Sequence, residues 1–160
     1  MSGLINIVTG LPRLTLIPWI AISLIVVFCS YSQASETDFR LEEYAGKVVF
    51  IDFWASWCGP CRASFPFMEE LQREFGDDLV IVAINLDENR KDALEFLARF
   101  EVSFKIFYDP SAQLAEKYEV KGMPSSYLFD RSGELLGSHI GFRKKDKQQL
   151  RSEIIAALEA

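Results

Sequence analysis

The sequence has few cysteines, a single histidine and a shortage of positive charge. Its 160 residues contain three cysteines and one histidine. Three cysteines are too few to staple a small scaffold, and an odd number leaves at least one unpaired within the chain. Acidic residues outnumber basic ones by 23 to 17, which gives a net charge of −6. Because nucleic-acid-binding domains carry a basic face, this balance argues against such a partner.

The N-terminal region almost lacks charge, since Arg13 is the only charged side chain before Glu36. Residues 14–28 form an uncharged apolar run. Its length fits a signal-peptide core of ~7–15 residues, whereas a membrane-spanning helix usually needs ~20. If the run extends over residues 14–31, it is just long enough to cross a bilayer. The apolar run can therefore be interpreted as a signal peptide or as a retained membrane anchor. Each interpretation predicts that the following domain is exported.

Small residues at Ser32 and Ala34 match an A-x-A-like cleavage site. We expect residues 1–34 to be a signal peptide cleaved after Ala34, or an N-terminal membrane anchor, and residues 35–160 to form the folded domain. Lipid attachment at Cys29 is a third interpretation, which the bulky residue before that cysteine disfavours. All three interpretations predict a periplasmic domain, either soluble or tethered to the inner membrane.

Two apolar strands and a helix predict a βαβ unit at the start of the domain. Residues 47–53 and 79–86 are short apolar runs typical of buried strands, and Cys61 to Phe75 has helical apolar spacing. We expect parallel strands joined by a right-handed crossover, and hence an α/β fold class. The remaining predicted elements are helix 90–100 with Leu94, Leu97 and Ala98 inward, strand 104–108, helix 112–118 capped by Ser111, hairpin strands 125–129 and 134–140, and helix 146–158.

Cys58 and Cys61 stand two residues apart in the segment FWASWCGPCR, where the first strand gives way to the first helix. A helix N-terminus offers free N–H groups and partial positive charge, which favour a thiolate over a thiol. We expect Cys58 to be exposed there, with a lowered thiol pKa, and to act as the nucleophile. Cys61, one turn into the helix, suits the resolving role. Gly59 and Pro60 bring no charged or hydrogen-bonding side chain between the sulfurs.

Two other interpretations of the cysteine pair are a zinc site and a static disulfide. A zinc site needs four ligands, and the chain has one histidine and no second Cys-x-x-Cys. A static disulfide would close a loop too small to stabilise the fold much. The strand–CxxC–helix context therefore favours a redox-active dithiol, which needs no metal or other cofactor.

Asp52 lies within the first apolar strand, six residues before Cys58. Its neighbours Ile51 and Phe53 indicate burial, and burial should raise the pKa of the carboxyl group. The functional interpretation is a proton acceptor for Cys61 during resolution. The alternative is a hydrated aspartate at a strand end.

The segment VVFIDFWASWCGPCR resembles the active-site signature of thioredoxins, and residues 120–135, VKGMPSSYLFDRSGEL, resemble that family's cis-proline segment. The leader and the extra helix and strand before residue 120 make the exported TlpA/ResA-like branch the better match. The resemblance implies a thioredoxin fold: a central mixed sheet with helices on both faces and a helix–strand insertion. It also implies that Met123-Pro124 is a cis peptide facing the cysteine pair, and that Gly141 belongs to a nearby substrate-facing loop.

Aromatic and backbone groups around the cysteines are expected to bind the substrate. Trp57 is the better surface candidate of the two neighbouring tryptophans, because aromatic side chains are enriched at interfaces. His139, in the last predicted strand, is interpreted as structural, since it has no paired nucleophile beyond the cysteines. The expected substrate-binding residues are Trp57, Gly59, Pro60, Met123, Pro124 and Gly141.

These features predict an exported thiol–disulfide oxidoreductase that reduces disulfides of periplasmic proteins, apocytochrome c being one candidate by resemblance. Its Gly-Pro pair resembles that of reducing thioredoxins. A membrane thiol carrier would have to supply electrons, because the compartment is oxidising. We expect a monomer. Two alternatives are a non-catalytic thioredoxin-fold binding module and a thiol peroxidase of related fold.

Overall fold

Five strands form one sheet: β1 (Val48–Trp54), β2 (Leu79–Asn85), β3 (Lys105–Tyr108), β4 (Ser125–Phe129) and β5 (Leu135–Ile140). Their order in the sheet is β3-β2-β1-β4-β5, with β1 at the centre. The computed structural model describes residues 39–160. The predicted leader, its cleavage site and Cys29 lie outside the described residues. Across residues 39–160, no helix combines the length and apolar character needed to cross a membrane.

The sheet is mixed, as predicted. Strands β1 and β2 pair in parallel, and so do β2 and β3. Strand β4 runs antiparallel to both β1 and β5, so β4 and β5 form the predicted hairpin. The parallel half of the sheet thus comes from the βαβ unit and its helix–strand extension, and the antiparallel half from the hairpin.

Within residues 39–160, four α-helices cover the sheet. The first begins at Cys61 and ends at Phe75, the bounds that the sequence predicts. Gly76 follows it with a φ of 54°, a backbone angle that is unfavourable for residues with a side chain. Short 3-10 segments lie at Leu41–Tyr44, Gly76–Asp78 and Lys144–Asp146. The helices are α1 (Cys61–Phe75), α2 (Arg90–Leu97), α3 (Gln113–Lys117) and α4 (Lys147–Glu159).

Helices lie on both faces of the sheet, so that β1 is buried on each side. Successive side chains of a strand point to opposite faces. We call the side that carries the cysteine pair the disulfide face; it receives Val48, Phe50, Asp52 and Trp54 and is covered by α1, α2 and α4. We call the other side the opposite face; it receives Val49, Ile51 and Phe53 and is covered by α3 and the segment Leu41–Tyr44.

Helix α2 presents a different side to the core from the one predicted. Ala93 and Phe96 are buried, while Leu94 and Ala98 are exposed and Leu97 is half-buried. Phe96 packs against Trp54 at a ring-centroid distance of 4.8 Å, and this aromatic contact sets the rotation of the helix. The prediction that Leu94, Leu97 and Ala98 point inward is therefore wrong for Leu94 and Ala98.

Asp109, rather than Ser111, satisfies the N-terminus of α3. Its buried carboxylate accepts hydrogen bonds from the backbone N–H groups of Gln113 at 2.9 Å and Ala115 at 3.0 Å. A carboxylate has two acceptor oxygens and so can satisfy two free amides at once. The predicted serine cap is wrong, and the helix begins at Gln113.

Candidate active site

Cys58 and Cys61 form a disulfide at the junction of β1 and α1, with their Cα atoms 5.3 Å apart. Cys58 lies in the connecting loop and Cys61 is the first residue of α1. Cys58 is only 4% exposed, and Cys61 is fully buried. The predicted order of exposure is confirmed, but the prediction of an openly exposed Cys58 is wrong for this disulfide form.

The start of α1 directs a backbone donor at the Cys58 sulfur. The N–H of Cys61 donates to Cys58 Sγ at 3.2 Å. Pro60 occupies the N-cap position with a φ of −63°, where its missing N–H removes no helical hydrogen bond. After reduction, the same amide and the positive end of the helix would favour a thiolate at Cys58 over a thiol.

Asp52 is buried on the disulfide face of β1, with 3% exposure. Its Oδ2 atom has no hydrogen-bond partner. Burial raises the pKa of this carboxyl group well above its ordinary value, because the charged form loses solvation. The predicted burial of Asp52 is confirmed, and its low exposure argues against the alternative of an aspartate hydrated by bulk solvent.

The two tryptophans beside the cysteines have opposite environments. Trp57, the residue before Cys58, is 70% exposed. Trp54 is fully buried, and its ring packs against Phe65 at a centroid distance of 4.8 Å. Trp57 is therefore a surface residue, as predicted, and Trp54 is a core residue.

The Met123-Pro124 peptide bond is cis, as the resemblance implied. Met123 packs against the core cluster that contains both cysteines. The N–H of Gly141 donates to the Pro124 carbonyl at 2.7 Å, and Gly141 has a φ of 81°, which favours glycine. The structure therefore brings together Pro124 and Gly141, residues that are distant in sequence.

Asp87 is a site residue that the sequence analysis does not single out. Its buried carboxylate accepts hydrogen bonds from the Ser56 N–H at 2.9 Å and the Ser56 hydroxyl at 2.9 Å. The side-chain amide of Asn85 donates to it at 2.8 Å. Asp87 therefore fixes the loop that leads into Cys58. An acidic residue directly after a buried strand was the available signal, but its partner lies 31 residues away.

Metal-ligating side chains do not gather within residues 39–160: no group of three or more histidine, cysteine, aspartate or glutamate residues is placed to hold an ion there. His139 instead contacts Glu153 of α4, with 2.7 Å between Nε2 and Oε2. This contact is compatible with the structural role predicted for the histidine.

Comparison with known proteins agrees with this geometry. The family model described as Redoxin matches residues 24–154. The chain belongs to the Redoxin family. This redoxin resembles the thioredoxin-like protein YneN of Bacillus subtilis, with 35% identity over 113 residues that cover 68% of the chain and 66% of YneN. It also resembles the thiol-disulfide oxidoreductase ResA of Geobacillus kaustophilus, with 37% identity over 97 residues, 60% of the chain and 56% of ResA.

A solved structure supports the same fold. The redoxin matches a crystal structure from Chlorobium tepidum, described as a candidate thiol:disulfide interchange protein DsbE, with 47% identity and a TM-score of 0.73. The match covers 75% of this chain and 86% of that one. The predicted thioredoxin-like fold is therefore confirmed. The redoxin spans 66% and 56% of the lengths of YneN and ResA.

Proposed function

We propose that this redoxin is a thiol–disulfide oxidoreductase whose redox group is the Cys58–Cys61 pair. The observation that carries the proposal is the disulfide at the N-terminus of α1, with the Cys61 N–H directed at Cys58 Sγ. Relatives named as a thiol-disulfide oxidoreductase and a thiol:disulfide interchange protein support the same chemistry. The dithiol carries both electrons, so the proposal requires no metal or organic cofactor.

The reaction begins from the reduced pair. The Cys58 thiolate attacks one sulfur of a partner disulfide, forming a mixed disulfide and releasing the other partner sulfur as a thiolate. Cys61 then loses its proton and attacks Cys58 Sγ, which breaks the mixed disulfide and releases the second partner thiolate. Two electrons pass to the partner, and the enzyme ends as the Cys58–Cys61 disulfide that the structure contains.

We assign to Asp52 the role of accepting the proton that Cys61 loses during resolution. The attacking form of Cys61 is its thiolate, so a base must accept a proton in the interior. The raised pKa of the buried carboxyl group brings it closer to that of a thiol, which makes the transfer easier. Its unpartnered Oδ2 leaves one acceptor site open for the proton.

The partner is expected to bind around the exposed Trp57. The ring supplies apolar contact area, and Gly59 and Pro60 beside it are exposed and present no charge. An extended partner segment would pair with the backbone near Met123 and Pro124. The proposed substrate-binding residues are Trp57, Gly59, Pro60, Met123, Pro124 and Gly141.

We further propose that the enzyme is exported and works as a reductant. The apolar run at residues 14–28 supports export to the periplasm, by a cleaved signal peptide or an anchor. The Gly-Pro pair supports a potential near that of thioredoxin, about −270 mV, rather than that of a strong oxidant, about −120 mV. Disulfide-containing exported proteins, including apocytochrome c, would be substrates, and a membrane thiol carrier would restore the dithiol.

An insulin reduction assay with dithiothreitol as electron donor tests the activity. Wild type should accelerate insulin reduction, and Cys58→Ala should not. The Cys61→Ala variant should accumulate mixed disulfides with its partners in cells. These adducts should be cleaved when a reductant is added. Failure of Cys61→Ala to capture any partner would favour a binding module, and peroxide consumption by the reduced wild type would favour a peroxidase.

The reduction potential tests the direction of electron flow separately. Equilibration with glutathione buffers, followed by thiol alkylation, gives the fraction of reduced protein at each potential. A value near −270 mV supports a reductant, whereas a value above about −200 mV would contradict that assignment.

A further inference from the structure

The loop between β1 and α1 contains a tight turn that carries Cys58. The N–H of Cys58 donates to the Ala55 carbonyl at 3.1 Å, which closes a four-residue turn over residues 55–58. Ala55 and Cys58, at the two ends of the turn, are buried. Ser56 is half-buried and Trp57 is exposed, so the corner of the turn faces solvent. The position of the Cys58 sulfur therefore depends on how firmly this corner is held.

Asp87 holds the second residue of the turn. The backbone N–H of Ser56 donates to Asp87 Oδ2 at 2.9 Å, and the Ser56 hydroxyl donates to Oδ1 at 2.9 Å. Hydrogen bonds to an ionised acceptor are roughly twice as strong as those between neutral groups. Two such bonds to one residue fix both its backbone and its side chain.

The carboxylate of Asp87 is itself fixed to the sheet. Asn85, the fully buried last residue of β2, donates from its side-chain amide to Asp87 Oδ2 at 2.8 Å, and its side-chain oxygen accepts the Asp87 N–H at 3.1 Å. The residue between them, Leu86, donates its N–H to the Trp54 carbonyl at 2.9 Å. Asp87 is therefore a rigid support that joins the end of β2 to the turn after β1.

A carboxylate suits this position better than an amide would. Three donors converge on Asp87: the Ser56 N–H, the Ser56 hydroxyl and the side-chain amide of Asn85. An aspartate side chain offers acceptors only, whereas an asparagine would direct N–H hydrogens at one of these donors. Asp87→Asn therefore disrupts the contact while keeping the size of the side chain.

We propose that Asp87 is a positioning residue that keeps Cys58 Sγ at the N-terminus of α1 when the cysteine pair is reduced. The inference rests on the proposed function. In the oxidised protein the S–S bond holds the sulfur there, 3.2 Å from the Cys61 N–H. Reduction removes the S–S bond. The turn that Asp87 holds then keeps the thiolate close to this amide and to the positive end of the helix, which stabilise it.

The negative charge of Asp87 acts in the opposite direction. A nearby carboxylate repels a thiolate at Cys58 and by itself favours the thiol. If Asp87 acts mainly by holding the turn, its loss makes the thiolate form less readily; if it acts mainly by repulsion, its loss makes the thiolate form more readily. The other ionisable groups on β1 and in the first turn of α1, which are Asp52, Cys61 and Arg62, stay the same in every variant below.

The pH profile of Cys58 alkylation distinguishes the two effects. The reduced full-length protein is treated with iodoacetamide from pH 4 to pH 9, and tandem mass spectrometry counts the label on Cys58 separately from Cys29 and Cys61. Because the thiolate is the reactive form, the rate follows the thiolate fraction. Asp87→Asn should raise the midpoint by about one pH unit, a tenfold loss of thiolate at pH values below it. An unchanged or lowered midpoint would overturn the proposal.

Variants of Ser56 test the same contact, also in case Asp87→Asn folds poorly. Ser56→Ala removes one of the two hydrogen bonds and should raise the midpoint by about half as much. Ser56→Thr keeps the hydroxyl and should match wild type. In an Asp87→Asn background, Ser56→Ala should cause little further shift, because both residues serve one contact. A shift as large as in the wild-type background would overturn the role of that contact.

Asp109→Asn is the matched control. Asp109 is a buried aspartate directly after β3, and its carboxylate also accepts two hydrogen bonds, from the backbone N–H groups of Gln113 and Ala115. The substitution should lower the free energy of unfolding and leave the alkylation midpoint of Cys58 unchanged, because this carboxylate holds α3 and not the turn. A shift equal to that of Asp87→Asn would indicate a general effect of lost stability and would overturn the positioning role.

Insulin reduction separates this inference from the proposed function, because alkylation requires no partner disulfide. An active wild type with an unchanged Asp87→Asn midpoint would overturn the positioning role alone. A wild type that cannot reduce insulin would overturn the proposed function, and with it the role of Asp87 in that reaction.

Discussion

Strand β1 sends Val49, Ile51 and Phe53 to the opposite face and Phe50, Asp52 and Trp54 to the disulfide face, and all of them are buried. The first set is wholly apolar. The second contains the two buried side-chain atoms that lack a hydrogen-bond partner among residues 39–160, Asp52 Oδ2 and Trp54 Nε1. Each such atom costs roughly 1–3 kcal/mol. The opposite face of β1 therefore contributes only to folding stability. The disulfide face, which carries the cysteines, contains polar atoms whose burial lowers that stability.

The largest difference between the two faces should be in activity. Cys58→Ser should reduce insulin reduction to the uncatalysed rate, because a hydroxyl cannot form the mixed disulfide. Phe53→Leu, on the opposite face, should keep the wild-type rate when activity is measured on folded protein. A comparable loss of activity in Phe53→Leu would remove the functional distinction between the faces.

The second difference should be in stability. Ile51→Ala removes a fully buried side chain from the opposite face and should lower the free energy of unfolding by ~2–5 kcal/mol, through lost burial and a residual cavity. Urea unfolding of the oxidised protein measures this loss. The folded fraction should still reduce insulin at the wild-type rate, and a slower rate would show that the opposite face also shapes the active site.

The third difference concerns pH. The folded-state pKa of Asp52 is raised by burial, so between the unfolded and folded pKa values the native protein holds a proton that the unfolded chain has lost. Stability should therefore fall as pH rises through this window. Asp52→Asn, which cannot ionise, should be more stable than wild type at pH 8 by ~1–3 kcal/mol.

Urea unfolding at pH 4 and pH 8 provides the measurement for Asp52. The advantage of Asp52→Asn should shrink at the lower pH, where the native carboxyl is protonated and about half of the unfolded chains are protonated as well. An advantage of the same size at both pH values would contradict the assignment of a desolvated carboxyl group.

The smallest difference should appear at the surface beside the cysteines. Trp57→Ala should raise the KM for a protein disulfide about fivefold, equivalent to ~1 kcal/mol, because an exposed aromatic contact is lost. Its free energy of unfolding should change by no more than about 0.5 kcal/mol. An unchanged KM for insulin would show that the partner binds elsewhere, and an unchanged rate with a small disulfide serves as the control.

Local signals were sufficient to predict the centre of the molecule. The apolar run before Trp54, the Gly59-Pro60 pair and Gly76 define where β1, the active-site loop and α1 begin and end, and these were predicted within a residue. Each signal acts over a few residues, through burial or backbone preference. Asp52 could likewise be predicted to be buried because its immediate neighbours are apolar.

Features that depend on distant pairing were missed. Leu94 was expected inside, but the packing of Phe96 against Trp54 turns it outward. The pairing of Ser126 with both Asp52 and His139 depends on the register of three strands, which a single sequence does not specify. The hydrogen bonds between Asp87 and Ser56 join the ends of two strands that become neighbours only after folding.

Asp87 holds the backbone N–H and the hydroxyl of Ser56, one residue before the exposed Trp57. The base of the tryptophan is therefore immobilised in the free protein. A partner that docks on this ring restricts mainly the rotation of one side chain, and the associated loss of conformational entropy, roughly 0.5–1.5 kcal/mol for such a side chain, is smaller than for a mobile loop. In the proposed function, the carboxylate of Asp87 would therefore lower the entropic cost of docking a partner on Trp57.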